Sequence, residues 1–165
     1  MIEKKATHQE QTYEQQLIHL SLIVNGQEQT LEVEATKRLV DILREDFTLT
    51  GTKISCEIGR CGACSVILDG KLVNACLIRA YQVDGKEVLT IEALSQNGLD
   101  PIQKAFLEEG GFQCGYCTPG MIMAVKALLE EHPVPDDEQI LEALSGNLCR
   151  CTGYGGIIRS IQKLK

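Results

Sequence analysis

The chain of 165 residues has no tryptophan, three phenylalanines and four prolines. It contains no apolar run approaching the ~18–20 residues of a membrane span, so no such span is expected. Positive charge is not in excess: 16 Lys and Arg stand against 23 Asp and Glu, giving a net charge of −7. The basic patches that phosphate binding requires are therefore missing, which argues against nucleic acid as a partner. Met1–Gln11 lacks the apolar core of a Sec-type signal peptide, so a cytoplasmic location with reduced thiols is expected. A composition of 44% hydrophobic and 24% charged residues is that of a soluble globular chain and excludes disorder throughout. The unusual count is cysteine, with eight. That density is below the ~8–10% of disulfide scaffolds, and clustered cysteines in a reducing compartment point to metal or redox chemistry.

Residues 1–16 are rich in Gln and Glu, lack periodicity and read as a flexible tail. Leu20, Leu22 and Val24 alternate with His19, Ser21 and Ile23 up to Asn25-Gly26, and Leu31, Val33 and Ala35 alternate with Glu32 and Glu34 beyond it. This predicts a hairpin, because Asn-Gly tolerates the positive φ of a two-residue turn. Thr36 is the expected N-cap of a short helix carrying Leu39, Ile42, Leu43 and Phe47. A glycine- and cysteine-rich loop follows at 51–64, then a hairpin around Asp69-Gly70 (Ser65–Leu68 and Leu72–Asn74) and a strand over Glu87–Ile91. The period then becomes helical. Asp100-Pro101 reads as N-cap and first residue of one helix, and Thr118-Pro119 starts a second that is apolar on nearly every side. Asp136 begins a third with Ile140, Leu141 and Leu144, and Gly146 is its expected C′ residue. A fourth carries Tyr154, Ile157, Ile158, Ile161 and Leu164 on one stripe. The expected class is α+β, with a tail at 1–16, a mixed domain at 17–92, a helical domain at 93–165, and a linker near Ser95, Asn97 and Gly98.

The cysteines form two quartets. Cys56, Cys61, Cys64 and Cys76 are spaced C-x4-C-x2-C-x11-C, which is the plant-type 2Fe–2S ferredoxin spacing. A chain that wraps a small anionic cluster must turn its backbone N–H groups inward, and Gly59, Gly62 and the small Ala63 allow that. The alternative is zinc, whose sites usually show two short C-x2–4-C pairs where this quartet has one. Cys114, Cys117, Cys149 and Cys151 follow C-x2-C-x31-C-x-C. On spacing alone this is a metal or cluster site. Both halves of the quartet precede expected helix starts, where free N–H groups favour thiolates.

Cys56-Glu57-Ile58-Gly59-Arg60-Cys61-Gly62-Ala63-Cys64 resembles the first cluster motif of the molybdenum hydroxylase (xanthine oxidase) family. Gln113-Cys114-Gly115-Tyr116-Cys117-Thr118-Pro119-Gly120 and Gly146-Asn147-Leu148-Cys149-Arg150-Cys151-Thr152-Gly153-Tyr154 resemble its second. The resemblance covers residues 17–165 and implies a β-grasp ferredoxin domain followed by a four-helix bundle, each holding one 2Fe–2S cluster. It implies a bacterial separate small subunit that passes single electrons from a molybdopterin centre to FAD, with both of those cofactors on partner subunits. It further implies that Cys56, Cys61, Cys64 and Cys76 hold the flavin-side cluster, and that Cys114, Cys117, Cys149 and Cys151 hold the one nearest the molybdopterin. Gln113 and Cys151 match positions that also contact the pterin.

No residue of this chain is expected to act as a catalytic acid or base. His8, His19 and His132 lack a ligand-like context, Met121 and Met123 read as core filler, and Glu108-Glu109 and Glu130-Glu131 as solvated helix ends. Arg60 and Arg150 lie inside the cluster motifs, either favouring a reduced cluster or serving as plain surface cations. Xanthine dehydrogenase is the favoured function. The alternatives are the same role in an aldehyde, carbon monoxide or N-heterocycle dehydrogenase, and a free two-cluster carrier.

Overall fold

The computed structural model describes residues 16–96 and 98–165. Expectations for the tail, His8 and Asn97 fall outside them. Strand β1 (Leu17–Val24) pairs antiparallel with β2 (Gln27–Glu34) through Asn25-Gly26, both left-handed with φ 52° and 78°. β3 (Ser65–Leu68) and β4 (Lys71–Asn74) pair through Asp69-Gly70 in the same way. β5 (Glu87–Leu89) lies between the hairpins, parallel to β1 and antiparallel to β3, in the sheet order β2-β1-β5-β3-β4. Leu20, Leu22 and Val24 alternate inward as expected and form one core with Leu39, Ile42 and Leu43.

The turn α1 (Leu39–Asp41) continues into a wider π-type segment, Ile42–Asp46, where the Phe47 N–H donates to the Ile42 carbonyl five residues back. Thr36 does not cap it. The Arg79 side chain donates to the Thr36 carbonyl and Ala80 N–H to the Lys37 carbonyl, so residues 36–38 are tied to a distant segment and helix begins only at Leu39. The last strand ends at Leu89, short of the expected Ile91. Ile91–Ser95 instead forms a 3₁₀ turn, with Ile91 and Leu94 packed on the helical core.

The helices are α2 (Pro101–Glu108), α3 (Thr118–Glu131), α4 (Asp137–Leu144) and α5 (Gly155–Gln162). Asp100 with Gln103 and Asp136 with Gln139 make reciprocal capping boxes, each satisfying two otherwise unpaired N–H groups. A second core gathers Phe106, Met121, Val125, Ile140, Ile157 and Ile161. Helix α3 is buried from Gly120 to Val125 and at Leu128, Met121 and Met123 included, because it also packs across β3 and β4, while Glu130 and Glu131 at its end are exposed. Leu141 departs from expectation: it is 61% exposed, since one helical residue after Ile140 turns about 100° away from the core. Gly146 is not among the positive-φ residues, and α4 ends without a left-handed cap.

Candidate metal centres

The loop between the π-type segment and β3 reverses direction at Glu57, Gly59 and Gly62, all with positive φ. These turns bring donors onto sulfur, and the Arg60 N–H lies 3.3 Å from Cys56 Sγ. Partial burial acts to raise the Cys56 thiol, but hydrogen bonds from the backbone at Ile58, Arg60 and Cys61, and from the Cys61 side chain, outweigh it and bring it down to about 7. Cys64 and Cys76 are buried beside one another, and burial above all pushes the Cys64 thiol up to about 12. The Asn74 amide donates to the Gly59 carbonyl at 3.1 Å and holds the loop from below.

The second quartet lies on two loops. Cys117 is the N-cap of α3, as the sequence suggested. Cys149 and Cys151 stand further from α5, separated from it by a turn at Thr152–Tyr154. That turn supplies the donors. The Thr152 hydroxyl donates to Cys149 Sγ at 3.1 Å, and with the N–H groups of Cys151 and Thr152 it overcomes burial to lower the Cys149 thiol. Tyr154, left-handed at φ 63°, closes the loop: its hydroxyl accepts from the Cys149 N–H at 2.9 Å and donates to the Asn147 carbonyl at 3.0 Å. Cys117 is pushed up to about 12, by burial first and then by Cys149 and Cys114. Thr118 Oγ1 is a buried atom with no protein partner.

The eight thiols are free and associate in pairs, Cys56 with Cys61, Cys64 with Cys76, Cys117 with Cys149 and Cys114 with Cys151. The Cys114–Cys151 sulfurs are 3.7 Å apart, far beyond the ~2.05 Å of a disulfide. Two thiolates on one tetrahedral metal at about 2.3 Å have a sulfur–sulfur edge of ~3.8 Å. Among the described residues no three His, Cys, Asp or Glu side chains gather closely enough to hold one metal ion. Four free thiols in each quartet are a donor set of the kind that holds a 2Fe–2S cluster.

The quartets are joined through the protein. Leu148 N–H donates to the Cys61 carbonyl at 2.9 Å, and the buried Asn147 amide donates to the Gly62 carbonyl at 3.0 Å. Tyr116, between Cys114 and Cys117, donates from its hydroxyl to the Ile54 carbonyl. A Cβ on Gly120 would collide with the Gly62 carbonyl, so glycine there sets the approach of α3 to the first loop. Sequence reasoning assigned Asn74 and Asn147 no role of their own, and Tyr154, expected on the stripe of the fourth helix, stands instead as its left-handed N-cap. The local signal was Gly59, Gly62 and the small Ala63 in the first motif, which allow tight turns and close approach.

Cys114, Cys151, Gln113, Arg60 and Arg150 are exposed at the rims of the two loops. His19 is exposed on β1, and His132 ends α3 beside Glu131, apart from either quartet. The cleft of about 680 Å³ between β4 and the α3–α4 corner, with Lys71, Leu72, His132 and Glu142 on its walls, contains none of the cysteines. No helix among the described residues is long and apolar enough to cross a membrane.

Residues 22–99 match the family model of the 2Fe-2S iron-sulfur cluster binding domain, and residues 90–162 match that of the 2Fe-2S binding domain. The chain is thus a two-cluster iron–sulfur protein, ferredoxin-like in its sheet-bearing half. It is 60% identical over 144 residues to a probable xanthine dehydrogenase subunit of Bacillus subtilis, covering 87% of this chain and 83% of that one. It is 50% identical to the nicotinate dehydrogenase small FeS subunit of Eubacterium barkeri, covering 83% and 88%. The crystal structure of quinoline 2-oxidoreductase from Pseudomonas putida 86 superposes with a TM-score of 0.86 at 43% identity, covering 89% of this chain and 91% of that one. The chain belongs to the small 2Fe–2S subunits of the molybdenum hydroxylases, and serves as the electron-transfer subunit of an oxidoreductase.

Proposed function

We propose that this chain is the iron–sulfur subunit of a xanthine dehydrogenase, working with a molybdopterin-binding large subunit and an FAD-binding medium subunit in the cytoplasm. The choice of xanthine rests on the 60% identity to the probable xanthine dehydrogenase subunit of Bacillus subtilis. The observation that carries the electron-transfer role is the pairing of eight free thiols into two quartets bridged by one backbone hydrogen bond.

Cys56 and Cys61 with Cys64 and Cys76 hold the first cluster, and Cys114 and Cys151 with Cys117 and Cys149 hold the second. Bound 2Fe–2S clusters would supply one-electron redox chemistry, accepting and releasing single electrons. The chain's own residues bind and tune. The turns at Glu57 and Gly59 bring the Arg60 N–H to Cys56, and Thr152 donates to Cys149. The exposed Gln113 and Cys151 form the rim that faces the pterin on the large subunit, while the exposed Ile58 and Leu77 beside the first loop face the flavin subunit. Residues 17–92 act as a β-grasp ferredoxin domain and 93–165 as a four-helix bundle.

Purified anaerobically, the chain is expected to carry about four irons and four acid-labile sulfides. Stoichiometric zinc without labile sulfide would refute the ligand assignment. Co-purification from the native host, followed by assay with xanthine, aldehydes and N-heterocycles, tests partners and substrate together. Turnover of another class but not of xanthine would overturn the substrate.

A further inference from the structure

We propose that Asn147, although it lies two residues from a ligand of the second cluster, is a positioning residue for the first. The inference rests on the ligand assignment above. Asn147 is 3% exposed, and its amide donates to the Gly62 carbonyl across 85 residues of sequence. That carbonyl also accepts from the Ser65 N–H at 3.1 Å, so Asn147 adds a second, long-range tie to a turn that the loop itself begins. Gly62 lies between Cys61 and Cys64. In a planar trans peptide the carbonyl and the following N–H point in opposite directions, so fixing the Gly62 carbonyl fixes the Ala63 N–H.

The same loop contains a worked instance of this geometry. The Asn74 amide holds the Gly59 carbonyl outward, and the N–H of the next residue, Arg60, points at Cys56 Sγ at 3.3 Å. Ala63 is 4% exposed, and among the described residues no protein group accepts from its N–H. A buried N–H needs an acceptor, and the sulfurs that this loop encircles are the chemistry available to it. Two asparagines thus turn two peptides of one loop, Asn74 from the sheet and Asn147 from the helical half. Gly62 admits the second because a Cβ there would lie 2.5 Å from the Asn147 amide nitrogen. An N–H directed at cluster sulfur stabilises the more negative reduced state and raises the reduction potential.

The test is a redox titration of the full chain, following the two paramagnetic signals separately, with Cys149→Ala identifying the signal of the second cluster by its loss. Asn147→Ala is expected to lower the midpoint of the first cluster, with up to about a tenfold change in its oxidised-to-reduced ratio (~59 mV for one electron), and to leave the second unmoved. Asn74→Ala is expected to move the same signal in the same direction, and it keeps the test open if Asn147→Ala loses iron. Unmoved midpoints with a lowered urea midpoint would reduce Asn147 to a packing contact and overturn the proposal, as would a shift confined to the second cluster. A wild-type chain lacking two cluster signals would instead refute the ligand assignment beneath it.

Discussion

Leu148 donates its backbone N–H to the carbonyl of Cys61 at 2.9 Å, and Leu148 is bonded directly to Cys149. One hydrogen bond therefore separates the backbone of a first-quartet cysteine from that of a second-quartet cysteine. The contact depends on how closely α3 approaches the first loop.

Gly120→Ala tests that approach. The added methyl would meet the Gly62 carbonyl, a backbone atom that cannot swing aside. A loss of ~1–3 kcal/mol in stability is expected, as for overpacking of a close contact, read from the urea midpoint. Unchanged stability would mean that the two halves slide apart freely at this point.

Tyr154→Phe removes the hydroxyl that links Cys149 N–H to the Asn147 carbonyl. Leaving those groups unpaired costs about 1–3 kcal/mol. The loop bearing Cys149 and Cys151 should loosen, so iron of the second cluster should pass to a chelator faster while the first keeps its rate. Equal acceleration of both would assign Tyr154 a global role.

On the proposed ligand assignment, Cys149→Ala is expected to abolish the second cluster's signal and spare the first, because Cys56, Cys61, Cys64 and Cys76 all lie in the sheet-bearing half. Loss of both signals would show that the two halves do not hold their clusters separately.

Lys163, at the end of α5, bonds Glu108 and Glu109 at the end of α2. Its pKa is raised above 10.5, through hydrogen bonds to Glu108 and then Glu109. A raised folded-state pKa means that the folded chain holds the proton more tightly than the unfolded one. The stabilisation is therefore complete below 10.5 and is lost as pH rises through the higher folded value. Lys163→Gln should lower the urea midpoint slightly near neutral pH, less so in high salt because the group is exposed. The difference from wild type should vanish in strong alkali. A difference that persists there would have to come from packing.

The sequence made local features legible. Cysteine spacing announced both quartets, Asn25-Gly26 and Asp69-Gly70 announced the hairpins, and Asp100 and Asp136 announced helix starts, because each acts over a few residues. Thr36 has a capping side chain yet caps nothing, since ties to Arg79 and Ala80 decide where helix begins. Asn147 looked like a loop residue, and its burial depends on Gly62, 85 residues earlier. Tyr116 likewise sat in a motif as an aromatic, with nothing nearby in sequence to reveal Ile54 as its partner. What stayed hidden was the set of contacts that only the docked halves create.

The span between Gly62 and Asn147 also sets a schedule for biosynthesis. A ribosome adding ~5–20 residues per second needs about 4–17 s to make the 85 residues that separate them. Once Cys76 has been added, the first loop has its four cysteines within reach but still lacks the amide that completes the hold on one of its peptides. Iron delivered to a chain still being translated would meet an unfinished cradle. Cluster loading is therefore best timed after the helical half has been made and docked, when both cradles become complete together.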